Sequence, residues 1–142
     1  MDIRYGLSLA AVAMSIVAIF VASYSILDDS AITPQTRNIE LFSQVDENID
    51  EDKLGIPPDQ FSLGSIVVNK GDMLRIHYAN LEPVETQEHH TFTISDQYNI
   101  DADINAGEDT MIEFKDTTAG IFDYVCTYHE PAMIGQLVVL DN

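Results

Sequence analysis

From residue 38 to residue 140 the apolar residues fall in short runs closed by turn residues, and none of these runs carries a helical period. NIELF (38–42), SIVVN (65–69), MLRIHYAN (73–80), HHTFTIS (89–95), TMIEF (110–114), IFDYVC (121–126) and IGQLVVL (134–140) read as strands. Lys70-Gly71-Asp72, Asn105-Ala106-Gly107-Glu108 and Thr118-Ala119-Gly120 read as turns. The acidic stretch 43–60, with its Pro57-Pro58 pair, reads as a long loop, and 96–109 as a variable stretch. Seven or so short strands with regular turn signals predict an all-β chain, a Greek-key sandwich or barrel.

Alternation along a strand then assigns faces, because successive side chains point to opposite sides. In HHTFTI the apolar parity is Phe92 and Ile94, and it carries His90 inward and leaves His89 outside. In IFDYVC, Asp123 is a poor candidate for unpaired burial, so Phe122, Tyr124 and Cys126 face inward. In MLRIHYAN the inward set is Leu74, Ile76 and Tyr78, which puts His77 on the surface. An inward histidine near the start of one strand and an inward cysteine at the end of another can therefore meet. They do so if the two strands are antiparallel neighbours.

Cys126 is the only cysteine of the chain. It opens the segment CTYHEPAM, which places His129 three positions on and Met133 four beyond that. An intrachain disulfide is excluded. A lone thiol on an oxidising face is buried and inert, paired with another chain, or bound to metal. A thiolate, two imidazoles and a thioether form the His₂Cys set with a weak axial Met that suits copper and electron transfer. Zinc also binds such ligands but has no redox role. The four histidines (77, 89, 90 and 129) include no His-x-His pair and are too few for an oxygen-reducing copper cluster.

Residues 6–27 hold no charge in 22 positions. As a helix they would span roughly 33 Å, close to the ~30 Å hydrocarbon core of a bilayer. Residues 1–27 are read as an uncleaved transmembrane anchor. The alternative is a cleaved signal peptide, for which Val21-Ala22-Ser23 is a poor site. With Arg4 before the segment and Asp28-Asp29 after it, the positive-inside bias puts the rest of the chain outside the cytoplasm, tethered by residues 28–36. The expected address is the cell membrane, crossed once.

From residue 28 onward lie 23 acids and five bases, a balance of −18. No basic stripe exists to meet phosphates, so nucleic acid is not an expected partner. The acids either keep the domain soluble or speed encounter with a basic protein.

Three pieces of the sequence resemble the cupredoxins, the small blue copper proteins of the plastocyanin and azurin type: IVVNKGDMLRIHYAN, EHHTFTI and AGIFDYVCTYHEPAMIGQLVV. The likeness runs from about Arg37 to Leu140 and is nearest to membrane-anchored archaeal versions. It implies a cupredoxin domain over 37–142, expected to be monomeric. The implied copper ligands are His90, Cys126, His129 and Met133, and the implied role is a one-electron carrier rather than an enzyme. It also implies an electron port at His129, framed by Pro131, Ala132 and Ile134, and redox proteins at the membrane as partners. The chain departs from the family in three places. The spacing C-x2-H-x3-M differs by one residue from that of plastocyanins and of amicyanins, which makes Met133 the least secure ligand. Val125 replaces the exposed aromatic that plastocyanins carry beside the cysteine. Glu85 and Glu88 precede His90, and a related red copper protein uses a glutamate ligand. Copper delivery or storage, and a catalytic mononuclear copper site, are the rival readings.

Overall fold

The computed structural model describes residues 33–95 and 97–141. The expected anchor (1–27) and most of the tether lie outside them. Among the described residues no helix is long and apolar enough to cross a membrane.

Among the described residues, nine strands form two sheets. They are β1 (Thr36–Val45), β2 (Asp59–Phe61), β3 (Ser65–Asn69), β4 (Met73–Asn80), β5 (His89–Ile94), β6 (Ile100–Asn105), β7 (Asp109–Lys115), β8 (Gly120–Val125) and β9 (Ile134–Leu140). One sheet runs β2-β1-β4-β7 and the other β3-β9-β8-β5-β6. The fold is the expected all-β one, in its two-sheet form. β3, β4 and β9 have the expected bounds. β8 ends one residue earlier, at Val125, so Cys126 sits just past the last rung.

The alternation does the work expected of it. Leu74, Ile76 and Tyr78 from one sheet meet Phe92, Ile94, Tyr124, Leu137 and Val139 from the other, all essentially sealed from water. Four aromatic rings occupy the centre. The Tyr124 ring lies 5.0 Å from Phe61 and 5.1 Å from Phe92, and Phe61 lies 6.1 Å from Tyr78. Such pairs contribute about 0.5–1.5 kcal/mol each beyond area burial. Their polar ends are satisfied: the Tyr78 hydroxyl shares a hydrogen bond with Ser43 Oγ at 2.7 Å, and Tyr124 donates to the Leu63 carbonyl.

Three stretches differ from expectation. The acidic stretch 43–60 is not one loop. β1 continues to Val45, a four-residue helix α1 (Glu51–Leu54) follows, and β2 pairs back onto β1. β2 is hard to see in the sequence because Phe61 is its only apolar member and it follows two prolines. β6 (IDADIN) lies inside the stretch read as variable, although it alternates. Its outward acids are answered by neighbours, as where Thr93 Oγ1 donates to Asp101 at 2.8 Å. The end of the tether is docked. Gln35 N–H donates to Asp72 Oδ1 at 2.7 Å, and its carbonyl accepts from Met73 at 2.8 Å. Thr36 already belongs to β1, one residue before the expected domain start.

This topology positions the site. β5 and β8 are antiparallel neighbours, with Thr93 opposite Val125. The start of β5 and the end of β8 therefore lie at the same end of the sandwich.

Candidate metal centre

His90 is the second residue of β5, on the inward parity, and is sealed from solvent. Cys126 follows β8 and is equally sealed. Two bonds from neighbouring strands hold the junction: Thr91 N–H donates to Cys126 Sγ at 3.3 Å, and Thr127 N–H donates to Thr91 Oγ1 at 2.9 Å. This explains why Thr91 and Thr93, on the outward parity, are nonetheless buried.

The loop after Cys126 closes on itself. His129 N–H donates to the Cys126 carbonyl at 3.2 Å, Met133 N–H to the His129 carbonyl at 3.0 Å, and Cys126 N–H to the Met133 carbonyl at 3.0 Å. Two consecutive turns thus return the chain to β9 and bring His129 back over the thiol.

Cys126 Sγ lies 3.5 Å from His129 Nδ1 and 3.8 Å from His90 Nδ1. Ligands of one tetrahedral or trigonal ion at ~2.0–2.3 Å from the metal stand about 3.5 Å apart, so the spacing is that of a shared shell. Met133 is fully buried in the same core cluster as Cys126 and is bonded to it through the backbone. The three strongest expected donors therefore converge, and the fourth residue lies in their loop. His77 and His89 stand apart as expected. His77 bridges Glu40 (2.7 Å) and Asp109 (2.9 Å) on the outer face, and His89 packs edge-on against Tyr128.

The thiol is poised as a ligand. Burial pushes its pKa up, but hydrogen bonding from His90, from the Thr91 and Tyr128 backbones and from His129 outweighs this and brings it down to about 6. A thiolate is the metal-binding form. Burial disfavours a charged His90, yet Cys126 and Glu82 together raise its pKa. A bound cation replaces that proton. One sulfur and two imidazole nitrogens, buried and preset, fit a copper ion.

Two carboxylates escaped the sequence reading. Glu82 Oε1 accepts from His90 Nε2 at 2.7 Å, with the carboxylate only 9% exposed. Asp59 reaches both rings, with Oδ1 3.8 Å from His90 Nε2 and Oδ2 3.8 Å from His129 Nε2. Burial raises the Asp59 carboxyl above its ordinary range, the two imidazoles pull it back, and Glu82 pushes it further up. Asp59 shares its parity with the inward Phe61, and Glu82 opens the loop leading into His90. Those are the signals that could have found them. Glu88, flagged from sequence, lies 3.8 Å from His129 Nε2, on the ring edge away from Cys126. Glu85 lies on an exposed 3-10 turn and belongs to neither donor group.

His129 is 15% exposed, and Pro131 and Ile134 beside it in sequence are open to solvent. The carboxylates of Asp59 and Glu88 flank its outer nitrogen, so this surface is acid-edged as well as apolar.

The Cupredoxin-like domain family matches residues 12–139. Among solved structures, auracyanin A, a "blue" copper protein from the green thermophilic photosynthetic bacterium Chloroflexus aurantiacus, is similar with a TM-score of 0.56. It is 20% identical, and the match covers 74% of this chain and 99% of that one. Reduced auracyanin from the photosynthetic bacterium Roseiflexus castenholzii gives a TM-score of 0.53 at 16% identity, over 72% of this chain and 96% of that one. A copper-containing nitrite reductase from Thermus scotoductus gives 0.54 at 20% identity, over 78% of this chain but 28% of that one. At these identities the likeness is one of fold. No curated protein matches the sequence.

Proposed function

The chain belongs to the cupredoxin-like domain family, and on that premise we propose that it is a type 1 copper protein, a one-electron carrier rather than an enzyme. The observation that carries this reading is the approach of both His90 Nδ1 and His129 Nδ1 to a single buried thiol, at 3.8 and 3.5 Å. His90, Cys126 and His129 would hold the ion, with Met133 from the same loop as a weaker fourth ligand.

Copper held there supplies a Cu(II)/Cu(I) couple. The chain's part is to keep its donors still while one electron comes and goes. β5 and β8 fix His90 and Cys126 through the Thr91 bonds, and the closed loop fixes His129. Donors that need not move leave little reorganisation for the electron to wait on. Burial of Cys126, His90 and Met133 excludes water and other ligands, and His129 alone reaches the surface as the port. The uncharged segment 6–27 supports an address on the outer face of the cell membrane, with the domain a monomer and redox proteins at that membrane as partners.

The test is the visible spectrum of the full-length protein, purified in mild detergent and loaded with Cu(II). The expected result is an intense blue or green thiolate band that bleaches on reduction and returns on oxidation. A colourless protein that retains only Cu(I) favours delivery or storage. A red one with an exchangeable water favours the catalytic reading that the nitrite reductase likeness keeps in play.

A further inference from the structure

Asp59 is a buried acid and Glu82 a largely covered one beside the copper ligands, and no lysine or arginine among the described residues pairs with either. Arg37 pairs with Asp72, Lys70 with Asp141 and Arg75 with Glu113. Burying two carboxylates without a cationic partner is costly. The groups that face them are the outer nitrogens of His90 and His129, and the two carboxyls also face each other. Asp59 makes no hydrogen bond to either ring, since both approaches are 3.8 Å, so its tie to them is electrostatic.

We propose that Glu82 and Asp59 act as one carboxylate pair that orients the copper ligands and favours the oxidised state of the centre. The inference rests on the copper reading above. Glu82 is the positioning residue. By accepting the Nε2 proton of His90 it fixes the tautomer that leaves the Nδ1 lone pair facing Cys126, and it makes that imidazole a stronger donor. Asp59 adds charge behind both rings at once.

The sign of the effect follows from charge. With a thiolate, two neutral imidazoles and a thioether, the centre carries +1 when oxidised and 0 when reduced. One electron enters, with no proton transfer and no bond broken. The negative charge of the pair, in a water-poor site, attracts the first state and not the second. The pair therefore holds the potential below what the four ligands alone would give.

The experiment compares full-length wild type with Glu82→Gln, Asp59→Asn, the double variant and Glu82→Leu. It adds Glu113→Gln, a surface acid away from the site, as a control. Both single amides keep the shape of the side chain and remove its charge, so either carries the test alone if the other fails to fold. Each is expected to weaken Cu(II) binding relative to Cu(I) about tenfold. For a one-electron couple this is a rise of about 59 mV. The double variant should rise further and Glu113→Gln should not move. A second readout needs no copper. In ¹⁵N-histidine-labelled apoprotein the His90 Nε2 proton should be protected from exchange in wild type and Asp59→Asn, and lost in Glu82→Leu. Wild-type potentials in both amide variants, in a protein that does show the thiolate band, overturn the pair and leave the carrier standing. No thiolate band in wild type overturns both.

Discussion

At the scale of single residues, the account places different demands on Cys126 and Asp116. Cys126→Ala removes the only thiolate and a small volume. The copper colour and reversible cycling should vanish entirely while the far-ultraviolet circular dichroism stays that of wild type. Persistent cycling would place the metal elsewhere. Asp116 is at the β4–β7 side of the molecule. Its backbone bonds Asp72 and Gly71, but neither side-chain oxygen has a hydrogen-bond partner among the described residues. Burial raises its carboxyl to about 6; the nearby Tyr98 phenol relieves part of this and Asp72 adds to it. A carboxyl raised in the folded state binds its proton more tightly there than in the unfolded chain. Its contribution to stability is complete below the ordinary value of 3.8 and is lost as pH rises through about 6. Melting temperatures of the apoprotein between pH 4.5 and 7.5 should fall more steeply for wild type than for Asp116→Asn. Parallel curves would refute this.

At the scale of elements, the β8–β9 pair carries the cysteine and its loop, and it depends on one close approach. Tyr124 stands opposite Gly135, and a β-carbon at Gly135 would overlap the Tyr124 ring. That ring is wedged between Phe61 and Phe92 and has nowhere to go. Gly135→Ala should destabilise by about 1–3 kcal/mol or more, read from denaturant unfolding, and should broaden the copper band by tilting the Cys126 loop. An unchanged midpoint would show that the sheet opens without strain. The elements also explain what the sequence disclosed. Strands whose two parities differ sharply, such as β4 and β9, were legible to the residue, and so were His90 and Cys126. β2 and β6 were not, because one has a single apolar residue and the other carries acids whose partners lie on β5. Glu82 and Asp59 left only faint local signals for a related reason: one comes from a loop and the other from β2, and it is the fold that brings them to the same imidazole.

At the scale of the whole molecule, the charge of −18 sets how partners arrive. The screening length shrinks from ~30 Å at 0.01 M salt to ~10 Å at 0.1 M. Electron exchange with a small cationic complex such as hexaammineruthenium should slow several-fold over that range. Exchange with anionic hexacyanoferrate should accelerate. Matching salt responses for the two would mean that the acids act only on solubility. Beneath these effects stands the meeting of four side chains from β5 and from the β8–β9 loop around one ion. Copper K-edge X-ray absorption on the full-length protein with one equivalent of Cu(II) tests that meeting most directly. The account predicts one short copper–sulfur contact with two imidazole nitrogens, and loss of the sulfur in Cys126→Ala. A wild-type spectrum fitted by nitrogen and oxygen alone would contradict it.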